Sequence, residues 1–162
     1  MKYLVMLSTI LFFPCIYAEE LNIPGGQVTS MKVSIDCEPC SFNASIKLLK
    51  LNDDDRKWAP STGLVFHGKE NEIATIGFRK LEGKQGLVSY IQINSKSGQV
   101  TTLKAIKSNL NFDEEYLFNA SWERDGNVSF SITGVDLNYD IGFKPTKAEY
   151  MVSGFQLEFN GK

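Results

Sequence analysis

Residues Tyr116–Gly134 read YLFNASWERDGNVSFSITG, two runs of strict apolar–polar alternation around a Glu-Arg-Asp-Gly corner. Alternation with period two sends successive side chains to opposite faces of a strand. Phe118, Ala120 and Trp122 then share one face with Val128, Phe130 and Ile132. Asn119, Ser121 and Glu123 share the other with Ser129 and Ser131. Asp-Gly between such runs marks a hairpin, because the favoured two-residue turns need positive φ. A hairpin with one apolar face commits the chain to a sheet that buries it. Its polar face is left as the surface where a ligand would be met.

The pattern repeats from Met31 onward. Met31–Asp36, Phe42–Leu51, Gly63–His67, Glu72–Leu81 and Leu87–Asn94 read as strands, as do Gln99–Ile106, Glu115–Glu123, Asn127–Thr133 and Ala148–Phe159. The dividers Asn52–Asp55, Glu82–Gly86, Ser95–Gly98 and Asn109–Asp113 are rich in turn residues. Strands at this spacing predict an all-β sandwich or barrel, mostly antiparallel. No window carries a helical stripe, and Thr101–Leu110 has room for one short turn. Val135–Pro145 reads as the longest late connection. With no repeat and no interior linker, 31–162 reads as a single domain, and 19–30 as an extended lead-in broken by Pro24-Gly25-Gly26.

Each strand has a core face and a polar one. Leu64 and Phe66 alternate with Val65 and His67. Ala74, Ile76 and Phe78 alternate with Thr75, Gly77 and Arg79, and Ile91 and Ile93 with Tyr90, Gln92 and Asn94. If these strands share a sheet, His67, Arg79, Tyr90, Gln92, Asn119 and Ser121 form one polar surface, and they are the candidate ligand-binding residues.

Residues 1–18 have the layout of a secretory signal peptide. Lys2 is followed by a mostly apolar run from Tyr3 to Phe13, then Pro14, and Ala18 stands before Glu19 and Glu20. Ile16 fits the small-x-small cleavage pattern poorly, so the cut could shift by a residue or two. Pro14 argues against Cys15 as a lipid-bearing first residue. The run is shorter than the roughly 20 residues that span a bilayer, and no later run is long enough. The chain is therefore expected to be secreted, periplasmic or extracellular, with no membrane span. Removing 1–18 takes one lysine and no acid, moving the formal net charge from −2 to −3. That balance, without a basic cluster, gives no footprint for nucleic acid. Cys37 and Cys40, in Cys-Glu-Pro-Cys, are expected to form a structural disulfide in an exported chain. The alternative is a redox-active pair, but such a pair opens a helix, and Phe42, Ala44, Ile46 and Leu48 alternate as a strand.

In the order of these features the chain resembles the concanavalin A-like lectin/glucanase superfamily, especially its laminin-G-like members. The residues that carry the resemblance are Gly63-Leu64-Val65-Phe66, the hairpin with Trp122, Asp125-Gly126 and Gly134, and Ser153-Gly154-Phe155 before Glu158-Phe159. It covers about Lys32 to Phe159. It implies an antiparallel two-sheet jelly-roll β-sandwich, a fold used by sugar-binding lectins, glycan hydrolases and adhesion modules. The superfamily's hydrolases carry Glu-x-Asp-x-x-Glu on a strand, which this chain lacks. Its legume-type metal site also finds no match.

The residues themselves point the same way. Glycoside hydrolysis needs two carboxylates about 5–10 Å apart across a bond. Here the acids fall mainly in loops, and neighbours such as Glu114 and Glu115 point to opposite faces. His67 is the single histidine, and no Gly-x-Ser-x-Gly elbow accompanies it. Asp53-Asp54-Asp55 reads as a solvated loop more readily than as a calcium site, so no metal or cofactor is expected. Trp58, flanked by charge, offers a flat face to a sugar ring, or alternatively lies as a lid on the sandwich edge. Asn43, Asn119 and Asn127 each head an Asn-x-Ser sequon. The expected function is a non-catalytic binding module with carbohydrate as ligand and a glycan as partner. The runner-up is a protein–protein or surface-assembly module meeting a cell-surface protein, and the third is a glycan hydrolase.

Overall fold

The computed structural model describes residues 19–35, 37, 40–52, 59–80 and 86–161. The expected signal over 1–18, the Asp53-Asp54-Asp55 run and Trp58 lie outside them. In chain order the strands are β1 Glu19–Asn22, β2 Val28–Val33, β3 Cys40–Leu51, β4 Ser61–His67, β5 Ile73–Lys80 and β6 Leu87–Asn94. They continue as β7 Val100–Leu110, β8 Glu115–Trp122, β9 Asn127–Ile132, β10 Val135–Asp140, β11 Lys147–Ser153 and β12 Phe155–Gly161. There is no helix among the described residues. A front sheet runs β1-β12-β3-β8-β9-β10 and a back sheet β2-β11-β4-β5-β6-β7, with every pairing antiparallel. The fold is the expected two-sheet sandwich.

The inner faces meet in an aromatic core. Phe42 of the front sheet stacks on Tyr150 of the back sheet at 5.5 Å between ring centres, and Phe66 meets Trp122 edge-on at 5.1 Å. Phe78 and Tyr116 close the far end at 5.5 Å. Offset and edge-on rings add about 0.5–1.5 kcal/mol per pair beyond the apolar area they bury. The pairs thus join the sheets as well as fill the space between them. Tyr150 is fully buried, and its hydroxyl accepts a hydrogen bond from Thr62 Oγ1 at 2.8 Å.

The hairpin has the predicted faces, with Phe118, Ala120 and Trp122 opposite Ile132, Phe130 and Val128. Its turn is longer than predicted. Glu123 N donates to Asn127 O at 3.0 Å and Gly126 N to Glu123 O at 3.2 Å, which leaves Arg124-Asp125-Gly126 as a three-residue loop. Of these only Gly126 has positive φ, at 102°, and a Cβ there would lie 2.3 Å from Phe143 O. This is a turn closed by a left-handed glycine, the next most common hairpin connection.

Three segments differ from the sequence reading. Val135–Asp140 is strand β10 rather than connection, because Thr133-Gly134 makes a two-residue turn with φ of 55° and 75° directly out of β9. Thr101–Leu110 is extended throughout as part of β7. The lead-in is built into the sandwich, β1 bonding β12 and β2 bonding β11. Cys37 and Cys40 are bonded to each other, with Cα atoms 4.9 Å apart, where the chain enters β3.

A branched Thr133 at positive φ is strained by about 1–3 kcal/mol. Thr133→Asn, which suits such a turn, is expected to raise stability by about 1 kcal/mol. The check is a higher urea midpoint at unchanged slope. A lower midpoint would show that the Thr133 Oγ1 bond to Ile132 O, at 2.6 Å, outweighs the backbone strain.

Candidate functional site

The six candidate residues do not form one surface. His67, Arg79, Tyr90 and Gln92 sit on β4, β5 and β6 in the back sheet, while Asn119 and Ser121 sit on β8 in the front sheet. Alternation separates inward from outward positions but does not say which sheet a strand joins. The two groups therefore face away from one another.

On the back sheet the polar groups are committed to one another. Tyr90 stands opposite Gly77, which in turn stands opposite Gly63, so on the β5 and β4 side no side chain holds its ring upright, and on the β7 side it meets only the methyl of Ala105. The ring is 5% exposed and capped by the Arg79 guanidinium, 5.1 Å from its centre. Tyr90 is thus a covered structural ring and offers no face to a ligand. Burial pushes its hydroxyl up to about 12, with Arg79 and the Ser61 side chain only partly offsetting this. Arg79 Nη1 donates to Gln92 Oε1 at 3.3 Å, and Gln92 Nε2 donates to Asn94 Oδ1 at 2.9 Å.

His67 Nε2 lies 2.7 Å from Glu149 Oε1, and Lys147 Nζ lies 2.8 Å from Glu149 Oε2. Glu149 is only 7% exposed. Burial alone would raise its carboxyl pKa, but hydrogen bonds from Lys147, His67 and Ser30 together hold it below the ordinary range. The sequence reading did not single out Glu149. Its position outward of Ala148 and Tyr150 was readable, but its partners come from other strands.

The front sheet presents the opposite situation. Register places Ser41, Ser121, Ser129 and Asn138 in one row across β3, β8, β9 and β10, and Asn43, Asn119, Ser131 and Asp136 in the next. From strand spacing and rise this grid measures about 14 by 7 Å. All eight line a groove of about 400 Å³ whose floor is completed by Ala120, Phe130 and Leu137. The rows are rich in serine, so the surface is shallow there. Among the described residues, none of the eight side chains is hydrogen-bonded within the protein. A second depression, also of about 400 Å³, continues from Ser129 and Asn138 to Glu123, Asn127 and Asp140. Hydroxyls and amides both donate and accept, and a carboxylate accepts twice, so the grid matches a ligand with closely spaced hydroxyls.

Among the described residues no three His, Cys, Asp or Glu side chains converge as a metal site would require. Nor is any helix long and apolar enough to cross a membrane.

The architecture is an antiparallel two-sheet jelly-roll sandwich, a fold shared with solved structures of low sequence identity. Galectin LEC-6 of Caenorhabditis elegans superposes with a TM-score of 0.58 at 8% identity, over 88% of this chain and 95% of that one. CG-16, a homodimeric agglutinin from chicken liver, gives 0.54 at 10% identity, over 84% of this chain and 100% of that one. An ancestral congerin gives 0.51 at 10% identity, over 85% and 100%. No protein-family model matches the chain, and no curated protein matches its sequence.

Proposed function

We propose that this chain is an exported, non-catalytic carbohydrate-binding module that takes its ligand in the front-sheet groove. The observation that carries this reading is the grid of eight polar side chains with no hydrogen-bond partner among the described residues. Polar groups held at fixed spacing by a rigid sheet bind a polyol with little ordering cost. The back face, by contrast, spends its polar groups on internal bonds. The likeness in fold to a galectin and an agglutinin supports the same assignment, and the disulfide supports export. Absence of catalysis is supported by the separation of the groups. Asp136 is the one carboxylate in the eight-residue grid, and His67 lies on the other sheet.

Calorimetric titration against a panel of neutral oligosaccharides tests this. Asn119→Ala and Asn138→Ala are each expected to weaken binding about tenfold, the loss of about 1.4 kcal/mol for one or two hydrogen bonds. Gln92→Ala, on the back face, should leave affinity unchanged. No binding of any sugar at millimolar concentration would sink the reading. The runner-up, contact with a protein partner, is favoured by edge strand β7, where Val100 and Leu103 are each 53% exposed. Recovery of a protein partner whose binding is lost in Leu103→Asp, with no sugar bound, would establish it instead.

A further inference from the structure

We infer that Asn43 and Asn119 together form a single N-glycan acceptor site in the floor of the groove, and that a glycan on either one closes it. Asn43-Ala44-Ser45 and Asn119-Ala120-Ser121 are both acceptor sequons. They are separated by four intervening strands in the chain, yet the register sets Asn43 directly opposite Asn119. Directly opposed residues on neighbouring strands have Cβ atoms about 5 Å apart. Both asparagines are exposed, both point outward, and both line the groove. The first sugar on either one would stand over the other and over Ser121 and Ser131 beside it.

The modification joins Asn Nδ2 to the anomeric carbon of a lipid-linked oligosaccharide pyrophosphate. The bond from that carbon to the pyrophosphate oxygen breaks, the lipid pyrophosphate leaves, and the amide gives up one proton. Attachment precedes folding, so a chain modified at both positions has to close β3 against β8 with two glycans in the space of one. Folded protein from a host with this machinery therefore carries one of the pair and not both, and ligand binding in the groove belongs to the unmodified chain. Asn127, which heads Asn127-Val128-Ser129 in the second depression, has its own space and is independent of this choice.

The closure part of this inference rests on the groove being the binding site; the acceptor part does not. Full-length chain secreted from a eukaryotic host is analysed by intact mass and glycopeptide mapping, beside unmodified chain made in bacteria. The expected result is a glycan on Asn43 or Asn119 in each folded molecule, with at most two glycans in all. Ser45→Ala or Asn43→Gln should move the pair's occupancy wholly to Asn119. Molecules modified at both positions, or at neither, would overturn the acceptor site. Sugar affinity is then compared between the two preparations, and a loss of tenfold or more in the glycosylated chain is expected. Equal affinity would overturn closure. If neither preparation binds sugar while occupancy is as expected, the acceptor site stands and the carbohydrate-binding reading falls.

Discussion

Gly77→Ala is expected to destabilise the protein by about 3 kcal/mol, the upper range for forcing an extra carbon into a packed interior. Gly77 and Gly63 face each other across β4 and β5 at the middle of the back sheet. A Cβ on Gly77 would lie 2.0 Å from Thr62 O and 2.6 Å from the Gly63 Cα, and one on Gly63 would lie 2.3 Å from Ile76 O. The obstructing atoms are backbone, so no side-chain rotation relieves them, and the strands have to part. Parting them also removes the flat bed on which Tyr90 lies beneath Arg79. Urea unfolding measures the loss, with the outward, half-buried Thr75→Ala on the same strand as the control. A Gly77→Ala protein within about 0.5 kcal/mol of the parent would show that the sheet relaxes freely there.

Raising the pH from 10 to about 12 is expected to remove about 2 kcal/mol of stability through Tyr90 alone, about 1 kcal/mol per pH unit. The direction follows from which form the fold favours. Burial favours the neutral phenol, so the folded pKa of about 12 stands above the unfolded 10.0. The stabilisation is fully present below pH 10. It is lost as the unfolded chain ionises first and the pH climbs through the folded value. Tyr150, fully buried beside Thr62, is raised in the same direction by its own burial and adds to the loss. Tyr90→Phe should therefore reduce the slope of stability against pH by about 1 kcal/mol per unit, leaving the shares of Tyr150 and Tyr116, which burial also raises. Urea midpoints across that pH range, followed beside phenolate absorbance, give both quantities. An unchanged slope in Tyr90→Phe would contradict the assignment.

What was legible in the sequence is what local periodicity encodes. Phe118, Trp122, Val128 and Phe130 are core because alternation assigns faces from one strand and its turn. Val135, Leu137 and Tyr139 alternate with Asp136, Asn138 and Asp140 in the same way, so β10 was within reach of that signal. Sheet membership was not. Nothing in Gly63–His67 or Glu115–Glu123 records that one joins the back sheet and the other the front, because the choice depends on distant partners. The candidate site failed at that step. Asn119 and Ser121 belong to the grid, but Asn138 and Asp136 enter it only through the turn at Thr133-Gly134. Tyr90 looked available because its strand face is polar, yet the small residue that decides its posture, Gly77, lies on the neighbouring strand.

The order in which the strands pair also governs when the protein can exist as a fold. β3 and β4 sit inside their sheets, and each takes one neighbour from the C-terminal end: Ile46 pairs with Phe159 and Leu64 with Tyr150. A chain made from its N-terminus can pair β4 with β5 and β3 with β8 earlier, but the second edge of each strand stays open until its last segment has been synthesised. Pairings this remote close slowly, since the loop entropy is paid before any contact repays it. The runs β4-β5-β6-β7 and β8-β9-β10 are local, whereas β1 and β2 find their partners only in β12 and β11, so the two ends complete the structure together. Loss of β11 and β12 would therefore leave an open edge in the middle of both sheets at once.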